Sequence, residues 1–249
     1  MSEETTDPIA NLLQATSVLA VQPHYDDNDV GAGGTLAALC DAGVEVIYLT
    51  VMDDLVGVLD ASLSDAAALA QLEMEQRAAG AVIGVKEHHW LGYPDAGPYD
   101  YFALRNDIVK HIRMLRPDYL FTCDPWLPHE AHQDHVVVGR AVAEASLLQG
   151  MTRLSVDAEV DRYYEPFEIS GVVFYVTRSP NTVFDISSTY ERKHQALRAY
   201  EAQFSAEDLE RLCWYIDAKE VAYAEGYPFS HGEPLKVLNT RQMHCCVDP

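Results

Sequence analysis

Ser17-Val18-Leu19-Ala20-Val21, then Gln22-Pro23-His24-Tyr25-Asp26-Asp27-Asn28-Asp29, then Gly31-Ala32-Gly33-Gly34-Thr35 is the stretch whose reading decides the fold. The first five residues are an apolar run of strand length, the next eight a polar turn, and residues 31–41 carry a helical pattern that ends at Gly43. Residues 44–50 are rich in β-branched and aromatic side chains and predict a second strand, so the unit is βαβ. Outward from it the alternation continues. Residues 64–83 predict a helix, 88–91 a strand and 101–115 a helix halted by Pro117. Residues 119–123 then predict a strand and about 132–148 a helix. Alternating strands and helices predict an α/β fold: a Rossmann-like, mostly parallel sheet with helices on both faces. Beyond Gly150 we expect a smaller C-terminal α+β extension, with strands at 169–176 and 182–186 and helices at 188–203 and 206–222. Residues 227–249 carry no assignable pattern. The expectation is one domain over 1–249, with its core at about 17–205.

Composition narrows the partners. The 249 residues hold 17 Lys+Arg against 39 Asp+Glu, a formal net charge of −22. Phosphate backbones and anionic membranes repel such a chain, which excludes nucleic acid and membrane surfaces as expected partners. The acidic N-terminus lacks the basic and apolar regions of a signal peptide, and no apolar run reaches the ~20 residues of a spanning helix. The five cysteines, Cys40, Cys123, Cys213, Cys245 and Cys246, are odd in number and form no CxxC pair. A reducing, cytoplasmic setting is the expectation.

Two clusters carry chemistry. His24, Asp26, Asp27, Asn28 and Asp29 crowd the turn after the first strand, where an open α/β sheet places its ligand crevice. A capping turn would use Asp and Asn in the same way. The second cluster, His129, Glu130, His132, Asp134 and His135, follows the fourth strand at the start of a helix. His132 and His135 are three apart, so one helical turn aims both rings at a common centre. Imidazoles and carboxylates with one open position are the ligand set of a catalytic zinc, and other divalent metals accept the same donors. The glycines do not complete a dinucleotide fingerprint, because Leu36 stands where GxGxxG needs glycine; close packing of the helix is their expected role.

The first cluster with its glycines resembles the His-Pro-Asp-Asp-x-Glu-x-Gly-x-Gly-Gly-Thr signature of the LmbE/PIG-L-like zinc-dependent N-acetylglucosaminyl deacetylases. His132-Gln133-Asp134-His135 resembles that family's His-Pro-Asp-His element. Leu91-Gly92-Tyr93-Pro94-Asp95 and the stretch from Asp185 to Leu197 extend the likeness over about residues 17–205. Tyr25 and Gln133 replace prolines, and Asp29 replaces a glutamate. The resemblance implies a zinc held by His24, Asp27 and His135, with Asp26 as general base and His132 as electrostatic stabiliser or general acid oriented by Asp134. It implies sugar contacts from Asp95 and Asp29, and an Arg and Glu near Glu73, Glu75 and Arg77. The implied substrate is a small N-acetylated amino sugar or sugar conjugate, and the implied assembly a homo-oligomer. Alternatives are an amidase for another sugar-linked amide such as a thiol conjugate, a non-catalytic metal or sugar binder, and a nucleotide-binding module.

Other residues read as structural: His88 and His89 as packing and surface groups, Asp53 and Asp54 as a solvated acidic loop, and the helix at 188–203 as a cover. His244, Cys245 and Cys246 read as incidental, and His129 and His231 have no pattern around them.

Overall fold

Strands that are apolar at every position can be buried only if both faces of their sheet are covered. In the computed structural model, which describes residues 11–244, β1 (Ser17–Gln22), β2 (Glu45–Met52), β4 (Tyr119–Cys123) and β5 (Gly171–Tyr175) are buried along nearly their whole length. With β3 (Glu87–Tyr93), β6 (Thr182–Asp185) and β7 (Gly232–Leu238) they form one sheet in the order β3-β2-β1-β4-β5-β7-β6. β1 to β5 pair in parallel, and β7 runs antiparallel to both β5 and β6.

The helices are α1 (Asp27–Asp41), α2 (Asp65–Ile83), α3 (Tyr101–Leu115), α4 (Gln133–Leu148), α5 (Ala158–Arg162), α6 (Tyr190–Leu197) and α7 (Ala206–Ala224). Val18 and Ala20 of β1 pack on one face with Leu36, Leu72 and Ala196 of α1, α2 and α6. Leu19 and Val21 pack on the other with Ile108 and Val142 of α3 and α4. Strand order reverses between β1 and β4, so the crevice for a ligand lies beyond their carboxyl ends. Both His/Asp clusters follow those two strands.

Three segments depart from the expected pattern. Helix α1 begins at Asp27, four residues early, and bends at Ala32 (φ −146°, ψ 15°). Its glycines do serve close packing, against side chains as well as sheet: a Cβ on Gly31 would stand 2.1 Å from the Tyr175 ring and one on Gly34 2.8 Å from Ile186. The helix expected over 188–203 stops at Leu197, and the chain beyond it serves the site described below. The unassigned 227–249 region contains β7, which joins the sheet between β5 and β6 and so ties the C-terminal extension to the main sheet. Cys245 and Cys246 lie outside the described residues.

β7 is held by a buried charge as well as by the apolar packing of Leu235 and Leu238. The Glu233 carboxylate accepts from the Gly34 and Thr35 N–H groups (3.0 and 2.7 Å), from the Thr35 hydroxyl (2.5 Å) and from Lys193 Nζ (2.7 Å). Lys193, 2 % exposed, is also 2.7 Å from Glu220. Burial opposes its charge, and the two carboxylates more than restore it. Removing the cation from such a group strands buried anions. Lys193→Met is therefore expected to lower unfolding free energy by about 3–5 kcal/mol in urea titration.

His88 packs edge-on to Tyr48 and stacks on Trp90 (5.8 Å between ring centroids). Burial, then the nearby Arg77 and His89, pull its pKa from 6.5 down to about 4. A folded-state pKa below the unfolded one gives stability that is present above pH 6.5 and is lost as pH falls toward 4. Across that window His88→Phe is expected to flatten the fall of melting temperature with acid; an unchanged slope would assign the acid sensitivity to other groups.

Candidate active site

The peptide of Tyr25 is the fixed point of the first cluster. Its carbonyl accepts from Gln76 Nε2 (2.8 Å) on α2 and Gln22 Nε2 (3.2 Å), and Tyr200 Oη beyond α6, whose proton goes to Asp29, lies 3.0 Å from it. Its N–H donates to Asp54 Oδ2 (3.1 Å), which also accepts from Gln203 Nε2 (2.7 Å). Gln76 is itself oriented by Trp90, whose indole N–H donates to Gln76 Oε1 at 2.7 Å. His24, Asp26 and Asp27 are carried on either side of this clamped peptide. Asp27 opens α1, where the helix dipole favours a carboxylate.

From the other strand end, His132 caps α4 and His135 lies on its first turn, their rings stacked 4.9 Å apart. The His24 ring meets His132 at 4.6 Å and His135 at 5.2 Å. Three donors then converge: His24 Nδ1 is 3.3 Å from Asp27 Oδ2, His135 Nε2 is 3.3 Å from Asp27 Oδ1, and the two nitrogens are 3.3 Å apart. Ligands of a tetrahedral ion with bonds of ~2.0–2.1 Å stand ~3.3–3.4 Å apart, and the three contacts, which reach Asp27 through its two different oxygens, have that length. The two groups whose donor atoms lie close enough together to hold an ion share His24 and His132: one is completed by His135, the other by Asp95 and Asp134. In the second group the two Asp134 oxygens are already engaged, by the Ala96 N–H (2.9 Å) and the Tyr99 hydroxyl (2.8 Å). Asp134 thus anchors the 96–99 loop, a contact beyond the expected orientation of His132.

His24 Nε2 is buried without a hydrogen-bond partner, 3.4 Å from Asp95 Oδ1, which is likewise buried and unpartnered. Metal-bound imidazoles commonly present their second nitrogen to a carboxylate in this way. A pocket of about 400 Å3 opens over the cluster; Asp26, Asp54, Gly57, Gln203 and Phe204 share its wall with the histidines.

The carboxylates sit in distinct fields. Burial, then the charges of Asp27 and Asp54, raises the Asp26 carboxyl well above its usual range. Burial pushes Asp54 up to about 7, with Asp27 and Asp95 adding to it against the pull of His24. Burial alone would lower His24, yet the hydrogen bond and charge of Asp27, with Asp54 and Asp95, bring it to about 10.

Residues 19–146 match the family described as PIG-L: GlcNAc-PI de-N-acetylase. The chain belongs to this family. Among PIG-L relatives, the diacetylchitobiose deacetylase of Thermococcus kodakarensis is 34 % identical over 231 residues, 92 % of this chain and 85 % of that one. The N,N'-diacetylchitobiose deacetylase of Pyrococcus horikoshii, solved with its inhibitor MPG, superposes with a TM-score of 0.88 at 32 % identity, covering 95 % of this chain and 89 % of the other. A probable N-acetyl-alpha-D-glucosaminyl L-malate deacetylase 2 of Bacillus cereus is 29 % identical over 76 % of this chain and 84 % of its own length.

Within this PIG-L fold His24, Asp26, Asp27, Asp95, His132 and His135 line one pocket. Asp29 does not. It is fully buried, and its carboxylate accepts from Tyr48 Oη (2.6 Å) and Tyr200 Oη (2.5 Å), which corrects the expected sugar contact: no surface of Asp29 faces the pocket. The Arg and Glu expected on α2 are also committed elsewhere. Arg77 lies over the Trp90 ring at 4.5 Å and Glu75 accepts the Ala202 N–H at 3.0 Å. Conversely Asp54, read from sequence as solvated, is 3 % exposed and lines the pocket, and Gln76, Tyr200 and Gln203 hold the loop without belonging to any motif.

Purified protein is expected to carry one divalent ion per chain by elemental analysis. His24→Ala and His135→Ala should each abolish it, because each removes one of three mutually spaced donors. Retention in either variant would break the convergence of the two clusters.

Proposed function

We propose that the chain is a zinc-dependent hydrolase that removes the N-acetyl group from an N-acetylated amino sugar, with His24, Asp27 and His135 as metal ligands. The observation that carries this reading is the 3.3 Å triangle of donors beside a carboxyl, Asp26, whose pKa is raised by its surroundings. The deacetylase relatives named above support the substrate class.

His24, Asp27 and His135 would hold the zinc ion, which when bound would supply Lewis acidity for the acetamide carbonyl and would lower the pKa of water toward ~7. Asp26, on the pocket wall beside His24 and Asp27, takes the proton of the attacking water as a positioned carboxylate base. His132, stacked against His135 and exposed to the pocket, donates to the oxygen on which charge develops, then passes a proton to the departing amine. Acetate and the free amino sugar leave. Asp95 Oδ1 faces the far nitrogen of His24 at 3.4 Å, and Asp134 holds the Ala96–Tyr99 turn that walls the pocket.

No helix among the described residues is long and apolar enough to cross a membrane. The substrate is a small molecule, and cytoplasmic residence together with assembly of several copies completes the proposed picture.

Asp26→Asn keeps the ligand triangle and removes the proton acceptor. Acetate release from N-acetylated amino sugars is expected to fall roughly 10²–10⁴-fold with metal content unchanged. Full activity in this variant would transfer the base role to another residue, and an inactive wild type with full metal content would favour a sugar binder.

A further inference from the structure

A hollow of about 320 Å3 opens beyond the carboxyl end of β5 and shares no residue with the His/Asp pocket. It exceeds the ~300 Å3 at which small-molecule sites begin. Its other walls come from α1, α6, α7, β7 and the loop after β4. The chain enters it at a backbone cost, since Val176 holds a left-handed conformation (φ 52°) that a β-branched residue rarely adopts. Asp124 pins that turn from both sides: its N–H donates to the Tyr175 carbonyl (3.0 Å), and its Oδ2 accepts from the Thr177 hydroxyl (2.6 Å). Val176 thereby stands exposed at the mouth and Thr177 is buried behind it.

The inner end of the hollow is charged. Lys193, Glu220 and Glu233 line it, and all three are buried. Glu233 is fully engaged by Gly34, Thr35 and Lys193, whereas Glu220 is not. Glu220 Oε1 pairs with Lys193 Nζ at 2.7 Å, but Oε2, on a residue 3 % exposed, has no hydrogen-bond partner. His194 Nε2 lies 3.6 Å from it, beyond hydrogen-bond length, and is itself unpartnered. A buried acceptor without a donor carries a desolvation cost that a donor from outside would remove. With one ammonium set between two carboxylates, the donor that suits this end is positively charged.

The outer end has the opposite character. Arg178 and Lys219 stand exposed there. Arg178 forms no ion pair among the described residues, and Lys219 Nζ lies over the rings of Tyr215 and Tyr223 at 5.9 and 5.8 Å. Two cations with no carboxylate on them attract an anion. Between the two ends Val30, Leu127, Ile216 and Pro234 form an apolar belt. We propose that this hollow is a second ligand site, for a small molecule with an amine at one end, a short apolar body and an anionic group at the other. The amine donates to Glu220 Oε2 and the anion lies at Arg178 and Lys219. The site is a matter of binding and stands independently of the deacetylase reading.

The test uses the zinc-loaded full chain with ε-aminocaproate as the probe, and hexylamine and hexanoate as controls that each lack one end. Calorimetry is expected to give saturable one-site binding of the probe with a Kd of about 1 mM or below, and affinities roughly tenfold weaker for each control. The double substitution Arg178→Ala with Lys219→Ala, at two exposed positions, should weaken the probe about fivefold or more and leave hexylamine unchanged. Glu220→Gln should weaken the probe to a similar extent and leave hexanoate unchanged; should its melting temperature show that it does not fold, the double variant decides. Amide chemical shifts should move at Val30, Leu127, Val176 and Tyr223. Shifts confined to the surroundings of His24 and His135 would place the probe on the metal and overturn the site. Absence of saturation, equal affinity for the three compounds, or binding unmoved by the double substitution or by a folded Glu220→Gln would overturn it as well.

Discussion

One peptide group, that of Tyr25, holds the site together. Two side-chain amides donate to its carbonyl, Tyr200 Oη lies against it, and one buried carboxylate accepts its N–H. These partners come from β1, from α2, from the loop after β2 and from the chain beyond α6, so the turn that carries His24 and Asp27 is tied to four separate parts of the fold. The arrangement resists deformation because each partner is itself held: Gln76 by Trp90, Tyr200 by Asp29 and Asp54 by Gln203. A loop free to move would separate His24 from Asp27, and donors that must sit within about 0.1–0.2 Å of ideal bonds would lose the ion.

The same clamp explains why so many acids lie together in a chain of net charge −22. Burial and the charges of Asp27 and Asp54 raise the Asp26 carboxyl, burial raises Asp54, and the hydrogen bond and charge of His24 hold Asp27 below its usual value against burial; a divalent cation would relieve the crowding of these acids. Burial without a cation is costly here, and the fold supplies rigid backing to sustain it. A second buried charge group, Lys193 with Glu220 and Glu233, lies behind α1 and fastens the bend at Ala32 to β7. The C-terminal strand therefore supports the helix whose first residue is a metal-site donor.

Much of this was legible before any coordinates. Apolar runs of five to eight residues gave β1, β2, β4 and β5, and α3 matched its expected limits because Asp100 caps it and Pro117 ends it. The two His/Asp clusters were identifiable because each lies beside a strand's carboxyl end. Gln76, Tyr200 and Gln203 were not, since a lone Gln or Tyr on a helix or loop has no pattern to distinguish it from a surface residue. Asp29 was misread for a related reason: its neighbours in sequence are site residues, while its neighbours in space are two tyrosines.

What the sequence by itself determined is the alternation of strands and helices and the chemistry placed at two strand ends, both set by local periodicity and by residue type. The tertiary structure alone decided which acids face the pocket and which are buried behind it, and where β7 enters the sheet. Those outcomes depend on contacts such as Thr35 to Glu233, 198 positions apart, and Tyr25 to Tyr200, 175 apart. Contacts of that range arise from the packing of whole elements, and no local signal encodes them.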